Sequence, residues 1–156
     1  MKIHSLLLFS FVMILSLSSC LKSDYYDPAL QAQQDDAAIV KFLADKNITA
    51  EKHSSGLYYQ IIEPGLGSVS YAANTSITVN YTGRLLSGSV FDKSSTPFSI
   101  QLQQVITGWQ IGVPLIQKGG KIRIFVPSQY GYGPQGSGPI PANAVLDFDI
   151  ELVDVK

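Results

Sequence analysis

The chain has 156 residues, which is enough for one domain and a short additional segment but not for two full cores. Hydrophobic residues make up 46% of it and charged residues 15%, which argues against a disordered chain, and a formal net charge of −1 supplies no positive surface for a nucleic-acid backbone. One Cys and two His residues are too few for a Cys/His zinc site or an internal disulfide framework.

The first residues have the pattern of a secretory signal. Lys2 supplies a positive charge, and ten of the twelve residues from Leu6 to Leu17 are apolar. Twelve helical residues span about 18 Å, well short of the roughly 30 Å hydrocarbon core of a bilayer. The stretch therefore predicts a signal peptide and not a membrane-spanning helix.

The segment Leu17-Ser18-Ser19-Cys20 resembles a bacterial lipobox. The resemblance predicts a lipoprotein signal peptide over residues 1–19, with Cys20 lipidated and serving as the mature N-terminus. Several acyl chains on one residue would anchor the protein firmly in a membrane. By resemblance to Gram-negative lipoproteins, Leu21 is not the Asp that retains such proteins at the inner membrane, so the expected location is the outer membrane, facing either the periplasm or the exterior. The alternative is an ordinary signal peptide followed by an incidental Cys.

Residues 20–55 are expected to form a tether and an N-terminal helix. Asp27-Pro28 predicts the helix start, because Asp caps the first turn and Pro is favoured at the first helical position. The helical pattern runs from Leu30 to Lys46, with one apolar face and one polar face. The apolar face is Ile39, Phe42 and Leu43, and the side chains expected in solvent are Gln33, Gln34, Asp35 and Asp36. We interpret this helix as a packing element or spacer, with a dimerisation element as the alternative.

From Gly56 onward the hydrophobic period changes from 3.6 to 2, which predicts a β domain over residues 56–156. The expected strands are Leu57–Ile62, Ile77–Tyr81, Lys121–Val126 and Leu146–Leu152. In the last strand four apolar side chains alternate with Asp147, Asp149 and Glu151. One face of the sheet is therefore expected to be buried and the other wet, which is typical of an antiparallel sheet.

Two shorter features complete the predicted fold. A short helix is expected over Thr107–Val113, because the residue before Pro114 is disfavoured in a helix. The small residues of Ser87-Gly88-Ser89, between two apolar runs, predict the tip of a hairpin. A sheet with one short helix against it is an α+β design.

Five clusters in this domain carry a family resemblance. They are Asn80–Gly83, Val90–Asp92, Val105–Trp109, Tyr130–Gly133 and Ile140–Ala144. In this order and at this spacing they resemble the FKBP-type, macrolide-binding, peptidyl-prolyl cis-trans isomerases, over the whole β domain. The resemblance implies a highly twisted antiparallel sheet of five to six strands wrapped around one short helix, here preceded by the N-terminal helix.

The resemblance also implies an apolar pocket with Trp109 as its floor. The catalytic residues it implies are Tyr81, Phe91, Asp92, Ile106, Trp109, Tyr132 and Phe148, and further substrate-binding residues are Phe98, Val105 and Ile140. The Ile106 backbone N–H and the Tyr132 hydroxyl are expected to donate hydrogen bonds to substrate carbonyls, and Asp92 is expected to orient Tyr81. Neither a metal nor another cofactor is implied.

The sequence departs from the family pattern at the edge of this pocket. The turn Lys93–Thr96 has no Arg, although many members place one there to pair with the Asp. Gln104 stands where an acidic residue is frequent, and the loop Pro134–Gly138 lacks the aromatic or His side chain that some members use. We therefore expect Asp92 to be less well oriented and the activity to be modest.

The function implied is isomerisation of X–Pro bonds in extracytoplasmic proteins. The expected partners are proline-containing unfolded or nascent envelope proteins, macrolide inhibitors, and a membrane through the N-terminal lipid, but no nucleic acid. One alternative is a non-catalytic peptide-binding or chaperone lipoprotein of the same fold, which would use the same pocket. Another is a structural lipoprotein subunit, which would expose an apolar patch to a stable partner.

Overall fold

A computed structural model describes residues 26–156 of the chain. In chain order the elements are α1 (Pro28–Lys46), β1 (Glu51–Lys52), β2 (Tyr58–Glu63), β3 (Ser76–Leu85), β4 (Val90–Lys93), β5 (Phe98–Gln101), α2 (Thr107–Gly112), β6 (Lys121–Val126) and β7 (Leu146–Val155). The signal peptide over residues 1–19, Cys20 and the start of the tether lie outside the described residues. Neither α1 nor α2 has the length and apolar character needed to cross a membrane.

The strands form one antiparallel sheet. Its strand order is β1-β2-β6-β7-β3-β4, and β5 pairs with β3 beside this path. The two ten-residue strands β3 and β7 pair along nearly their whole length, with Tyr81 opposite Ile150 and Gly83 opposite Phe148. Six strands have four or more residues and β1 has only two, so the expected twisted antiparallel sheet with one short helix and an N-terminal helix is confirmed.

One face of the sheet, here called the inner face, forms the main core with α2. Along β7, Leu146, Phe148, Ile150 and Leu152 are all buried there, as the alternating pattern predicts. The helix α2 is only six residues long, ends at Gly112 and continues as a 3₁₀ turn over Val113–Leu115, so it stops one residue earlier than expected.

Two glycines let α2 lie directly on β6. A Cβ atom at Gly108 would overlap the Cγ1 atom of Val126, and one at Gly112 would lie 2.9 Å from the Cγ2 atom of Ile124. Real side-chain contacts are longer than this, so any larger residue would push the helix off the sheet. The spacing of four residues places both glycines on the same face of α2.

The opposite, outer face of the sheet is partly covered by α1. Ile39 and Leu43 pack there in a second buried cluster with Tyr58, Phe125 and Val145. The expectation that this face is wet is therefore wrong for this part of the sheet.

Asp147 is the clearest correction on the outer face, since it is only 2% exposed. The Arg123 guanidinium donates from Nε and Nη2 to its two carboxylate oxygens, at 2.9 and 2.8 Å. Such a two-point, charge-assisted pair satisfies both oxygens of a carboxylate that is shielded from water.

The start of α1 is as the sequence predicts, but the burial of one of its side chains is not. Asp27 accepts hydrogen bonds from the Ala29 and Leu30 N–H groups at 2.9 and 3.2 Å, which confirms the predicted cap. Gln33 and Gln34 are exposed as expected, but Asp35 is 2% exposed. The expectation that Asp35 faces solvent is wrong, because its carboxylate accepts hydrogen bonds from the Ser128 N–H and hydroxyl of the main domain.

The contact between α2 and β6 gives the first prediction. We expect Gly108→Ala to lower the free energy of unfolding by about 1–3 kcal/mol, because the added methyl group overpacks against Val126 and outweighs the better helix propensity of Ala. Urea denaturation measures the change. In a Val126→Ala background the same substitution is expected to cost clearly less, since the clashing atoms are gone. Equal costs in the two backgrounds would contradict this account of the contact.

Candidate active site

A cavity of about 290 Å³ opens between α2 and the inner sides of β3, β4 and β7. Ten side chains line it: Tyr81, Phe91, Asp92, Phe98, Gln104, Val105, Ile106, Trp109, Tyr132 and Phe148. The structure thus brings together nine of the ten residues that the sequence named for the pocket. Ile140 is not among the lining side chains, since it is 6% exposed in the main core. Gln104 is the one lining residue that the sequence had noted only as a departure.

The floor of the pocket is a set of perpendicular aromatic rings. Trp109 is 5% exposed, and its ring centroid lies 5.1 Å from that of Tyr81 and 5.4 Å from that of Phe148, at interplanar angles of 80° and 88°. Phe91 meets Phe148 at 5.5 Å and 86°. Edge-to-face contacts of this kind are favoured by the ring quadrupoles and fix the ring orientations. The floor is therefore rigid, apolar and shielded from water.

Gly83 on β3 makes room for two of these rings. A Cβ atom at this position would lie 2.6 Å from both the Phe148 Cε1 and the Phe91 Cζ atoms. The functional role of Gly83 was not predicted, although a glycine inside a strand is a known signal that another group approaches the backbone closely.

The indole N–H of Trp109 is a further feature that sequence reasoning missed. The Nε1 atom is buried, and no hydrogen-bond acceptor for it is present among residues 26–156. Buried polar groups in proteins nearly always have a partner, and those that lack one concentrate at functional positions. No signal in the sequence distinguishes such an indole from one that is hydrogen-bonded in a core.

Tyr81 and Asp92 form a hydrogen-bonded pair at the mouth of the pocket. The Tyr81 hydroxyl donates to the Asp92 Oδ2 atom at 2.7 Å, which is the contact expected from the sequence. Burial of the phenol, followed by the hydrogen bond to Asp92 and the charge of Asp92, raises the pKa of Tyr81 to about 12. Tyr81 therefore remains a neutral donor throughout the physiological range.

Asp92 has no cationic partner in this structure. Within the described residues, no Lys, Arg or His forms an ion pair with its carboxylate. Its orientation therefore depends on the Tyr81 hydroxyl and on the pairing of β4 with β3, in which Asp92 lies opposite Gly83.

The rim of the pocket, defined here as Asp92, Phe98, Gln104 and Tyr132, is more exposed than the floor. Phe98 is 44% exposed and Tyr132 is 38% exposed. Partial burial, with a smaller contribution from the Asp92 charge, raises the pKa of the Tyr132 hydroxyl. Tyr132 is thus a neutral hydroxyl at the boundary between the apolar floor and solvent.

Ile106 combines an apolar side chain with a polar backbone group. It is the residue before α2, and its C=O accepts hydrogen bonds from the Trp109 and Gln110 N–H groups at 2.9 and 3.3 Å. Its own N–H has no acceptor within the described part of the chain. That N–H is therefore free within residues 26–156, and its donation to a substrate carbonyl stays a prediction.

The chemistry of the lining suits binding of an apolar peptide segment. Eight of the ten lining side chains are aromatic or aliphatic, and the other two are Asp92 and Gln104 at the rim. Within the described residues the lining includes no Ser, Cys, Lys or His. Such a pocket removes water from what it binds and offers hydrogen-bond donors at its mouth.

Comparison with known proteins shows which family the chain is similar to. A family model described as FKBP-type peptidyl-prolyl cis-trans isomerase matches residues 67–153, more than half of the chain. The FKBP-type peptidyl-prolyl cis-trans isomerase FkpA of Buchnera aphidicola subsp. Schizaphis graminum is 44% identical over 119 residues, which are 74% of this chain and 46% of that protein. FkpA of Escherichia coli K12 is 43% identical over 119 residues, which are 74% of this chain and 43% of that protein. The chain spans less than half the length of these two relatives.

A crystal structure of FkpA from Escherichia coli has the same fold. It superimposes with a TM-score of 0.71 at 38% sequence identity, covering 82% of this chain and 60% of that chain. Since the family model matches more than half of the chain and the fold is shared with a solved member, this chain belongs to the FKBP-type peptidyl-prolyl cis-trans isomerase family.

Proposed function

We propose that this chain is a peptidyl-prolyl cis-trans isomerase that binds the X–Pro bond of unfolded proteins in the pocket above Trp109. The observation that carries the proposal is the floor of three perpendicular rings, Trp109, Tyr81 and Phe148, in a cavity large enough for a proline ring. The catalytic set is Tyr81, Phe91, Asp92, Ile106, Trp109, Tyr132 and Phe148, with Phe98 and Val105 as further substrate contacts.

The rate enhancement required is modest. The X–Pro bond rotates over a barrier of about 18–20 kcal/mol, which corresponds to roughly 0.05 per second. Reaching about 10² per second requires a reduction of some 4–5 kcal/mol. Because the bond rotates and does not break, no nucleophile is needed.

Desolvation supplies the larger part of this reduction. The planar amide has the larger dipole and is stabilised by water, whereas the twisted amide has lost its resonance and needs less solvation. Trp109, Phe91 and Phe148 replace that water with apolar rings, so the planar form is destabilised relative to the twisted form.

Hydrogen bonds at the mouth of the pocket supply orientation. The Ile106 N–H and the Tyr132 hydroxyl donate to the carbonyls that flank the proline and hold the peptide while the bond turns. Each contributes about 1 kcal/mol net, so the two together cannot account for the whole effect. Asp92 acts on the substrate through its pairing with Tyr81 and through its charge at the rim.

The natural substrates in this proposal are proline-containing unfolded or nascent proteins of the cell envelope. Macrolides are the corresponding inhibitors, because a rigid apolar ring system fits the same floor. Lipidation of Cys20 anchors the domain to the outer membrane. Five residues separate Cys20 from Tyr26, which limits the reach of the tether to about 20 Å and keeps the pocket near the membrane surface.

Substitution of the floor tests catalysis directly. In a protease-coupled peptide assay we expect Trp109→Leu to lower kcat/KM by at least about tenfold, because a smaller side chain leaves water beneath the bound proline. Phe42→Leu is the matched control, since Phe42 lies on α1, packs against Phe125 and does not line the pocket. It is expected to change kcat/KM by less than about twofold.

The same assay distinguishes catalysis from the chaperone alternative. A chain that suppresses aggregation of an unfolded protein without accelerating proline-limited refolding is a binding module. Equal activities of wild type and Trp109→Leu would also contradict the proposal.

The Tyr81–Asp92 pair gives a pH prediction. The raised pKa of about 12 means that the Tyr81 phenol stays protonated as the pH rises past 10, the ordinary tyrosine value. The stabilisation of the folded state that is linked to this raised pKa is fully present below pH 10 and is lost as the pH rises from 10 to 12. We expect Asp92→Asn to lower the pKa of Tyr81 towards 10 without reaching it, because burial remains the larger cause. Ring-carbon NMR of labelled tyrosines measures this, and titration of wild-type Tyr81 near 10 would refute it.

The proposed anchor is tested in a Gram-negative host. We expect the full chain to incorporate labelled palmitate and to fractionate with the outer membrane, whereas Cys20→Ser is expected to lose both properties because no other Cys is present. A matched Ser19→Ala variant keeps the Cys and is expected to be lipidated. Label in the Cys20→Ser protein, or a soluble wild-type protein, would contradict the anchor.

A further inference from the structure

Asp35 makes a contact that the proposed mechanism does not use. It lies in the middle of α1, is 2% exposed, and accepts three hydrogen bonds. The Ser128 N–H and hydroxyl donate to Oδ2 at 2.7 and 2.6 Å, and the Gln31 Nε2 group donates to Oδ1 at 2.8 Å. A buried carboxylate is costly unless its oxygens are satisfied, so this geometry is held tightly.

Ser128 begins the segment that leads to the pocket. It is the first residue of a 3₁₀ turn, Ser128–Tyr130, which follows β6 after Pro127, and three residues separate it from Tyr132 at the rim. By accepting the N–H of the first residue of this turn, Asp35 acts as its cap although it belongs to another element.

The backbone around Tyr132 depends on such external contacts. Tyr132 stands between Gly131 and Gly133, and Gly133 has a φ of +57°, a conformation that non-glycine residues rarely adopt. Glycines on both sides give the tyrosine little local rigidity.

Two other contacts hold the same loop. The Tyr130 hydroxyl donates to the Ser55 C=O at 3.1 Å, and the Gly133 C=O accepts from the Asn143 N–H at 2.8 Å. The Asp35 contact has the shortest hydrogen bonds of the three and is the only one of the three that involves a charge. It therefore restrains the backbone on the N-terminal side of Tyr132 more firmly than a neutral hydrogen bond of ordinary length would.

We propose that Asp35 is a positioning residue: from α1, and through Ser128, it places the Tyr132 hydroxyl at the rim of the pocket. The inference deepens the proposed isomerase function and rests on it. It assigns a role in the site to the N-terminal helix, which lies outside the residues 67–153 that match the family model. Asp35 itself does not touch the substrate.

A double-mutant cycle with Tyr132 tests this role. In the full chain we expect Asp35→Ala and Tyr132→Ala each to lower kcat/KM by about fivefold to tenfold. The kcat/KM of the double variant is expected to lie within about twofold of that of Tyr132→Ala. Asp45→Ala is the matched control, because it removes from the same helix an exposed carboxylate whose partner within residues 26–156 is Lys41. It is expected to retain wild-type activity.

The cycle separates positioning from stability. If Asp35 only stabilised the fold, its loss would lower activity by the same factor with and without the Tyr132 side chain, and additivity of the two substitutions overturns the proposal. Should Asp35→Ala fail to fold, Ser128→Ala takes its place, because it removes one donor and keeps the backbone N–H contact. The expected loss is then about twofold to threefold, and it is again absent in the Tyr132→Ala background.

A measurement without substrate distinguishes this inference from the isomerase proposal. In ring-labelled tyrosine spectra of the full chain, Asp35→Ala or Ser128→Ala is expected to move the Tyr132 signal towards that of a solvent-exposed tyrosine and to leave the Tyr81 signal in place. An unchanged Tyr132 signal in both variants refutes the positioning role. Absence of isomerase activity in the wild type, with a shifted Tyr132 signal, refutes the catalytic function alone.

Discussion

The close approach of α2 to the inner face of the sheet is the constraint on which the site depends. Gly108 and Gly112 present no side chain to Val126 and Ile124, so the helix lies directly on β6. Trp109, the next residue after Gly108, then stands with its ring against Tyr81 and Phe148. A third glycine, Gly83, leaves room above β3 for the rings that complete the floor. Small residues in the framework thus determine where the large ones of the pocket lie.

The sheet also separates charge from the chemistry of the pocket. The ion pairs of Arg123 with Asp147 and of Arg84 with Asp149 lie on its outer face, while the inner face is almost entirely apolar. The carboxylate at the rim, that of Asp92, is engaged by the Tyr81 hydroxyl. A mechanism based on removing water from an amide requires this separation, because a nearby ion would bring its own hydration into the cavity.

The N-terminal helix is part of the domain and does more than extend it. It covers Phe125 on the outer face and, through Asp35, contacts the start of the loop that carries Tyr132. One face of an antiparallel sheet is commonly exposed to solvent. Here α1 covers part of that face, and it buries residues that the alternating sequence pattern predicts to be exposed.

Local pattern by itself determined the elements of this protein: the cap at Asp27, the alternation along β7 and the short helix before Pro114 depend on neighbours in the chain, so they are visible without the fold. The family resemblance that the five clusters carry implied nine of the ten pocket residues. Only the tertiary structure decided that Asp35 and Asp147 are buried and that Ile140 packs in the core, because each depends on a partner far away in sequence. The buried, unpartnered indole N–H of Trp109 is of the same kind, since burial and hydrogen bonding are properties of the packed chain and not of the residue.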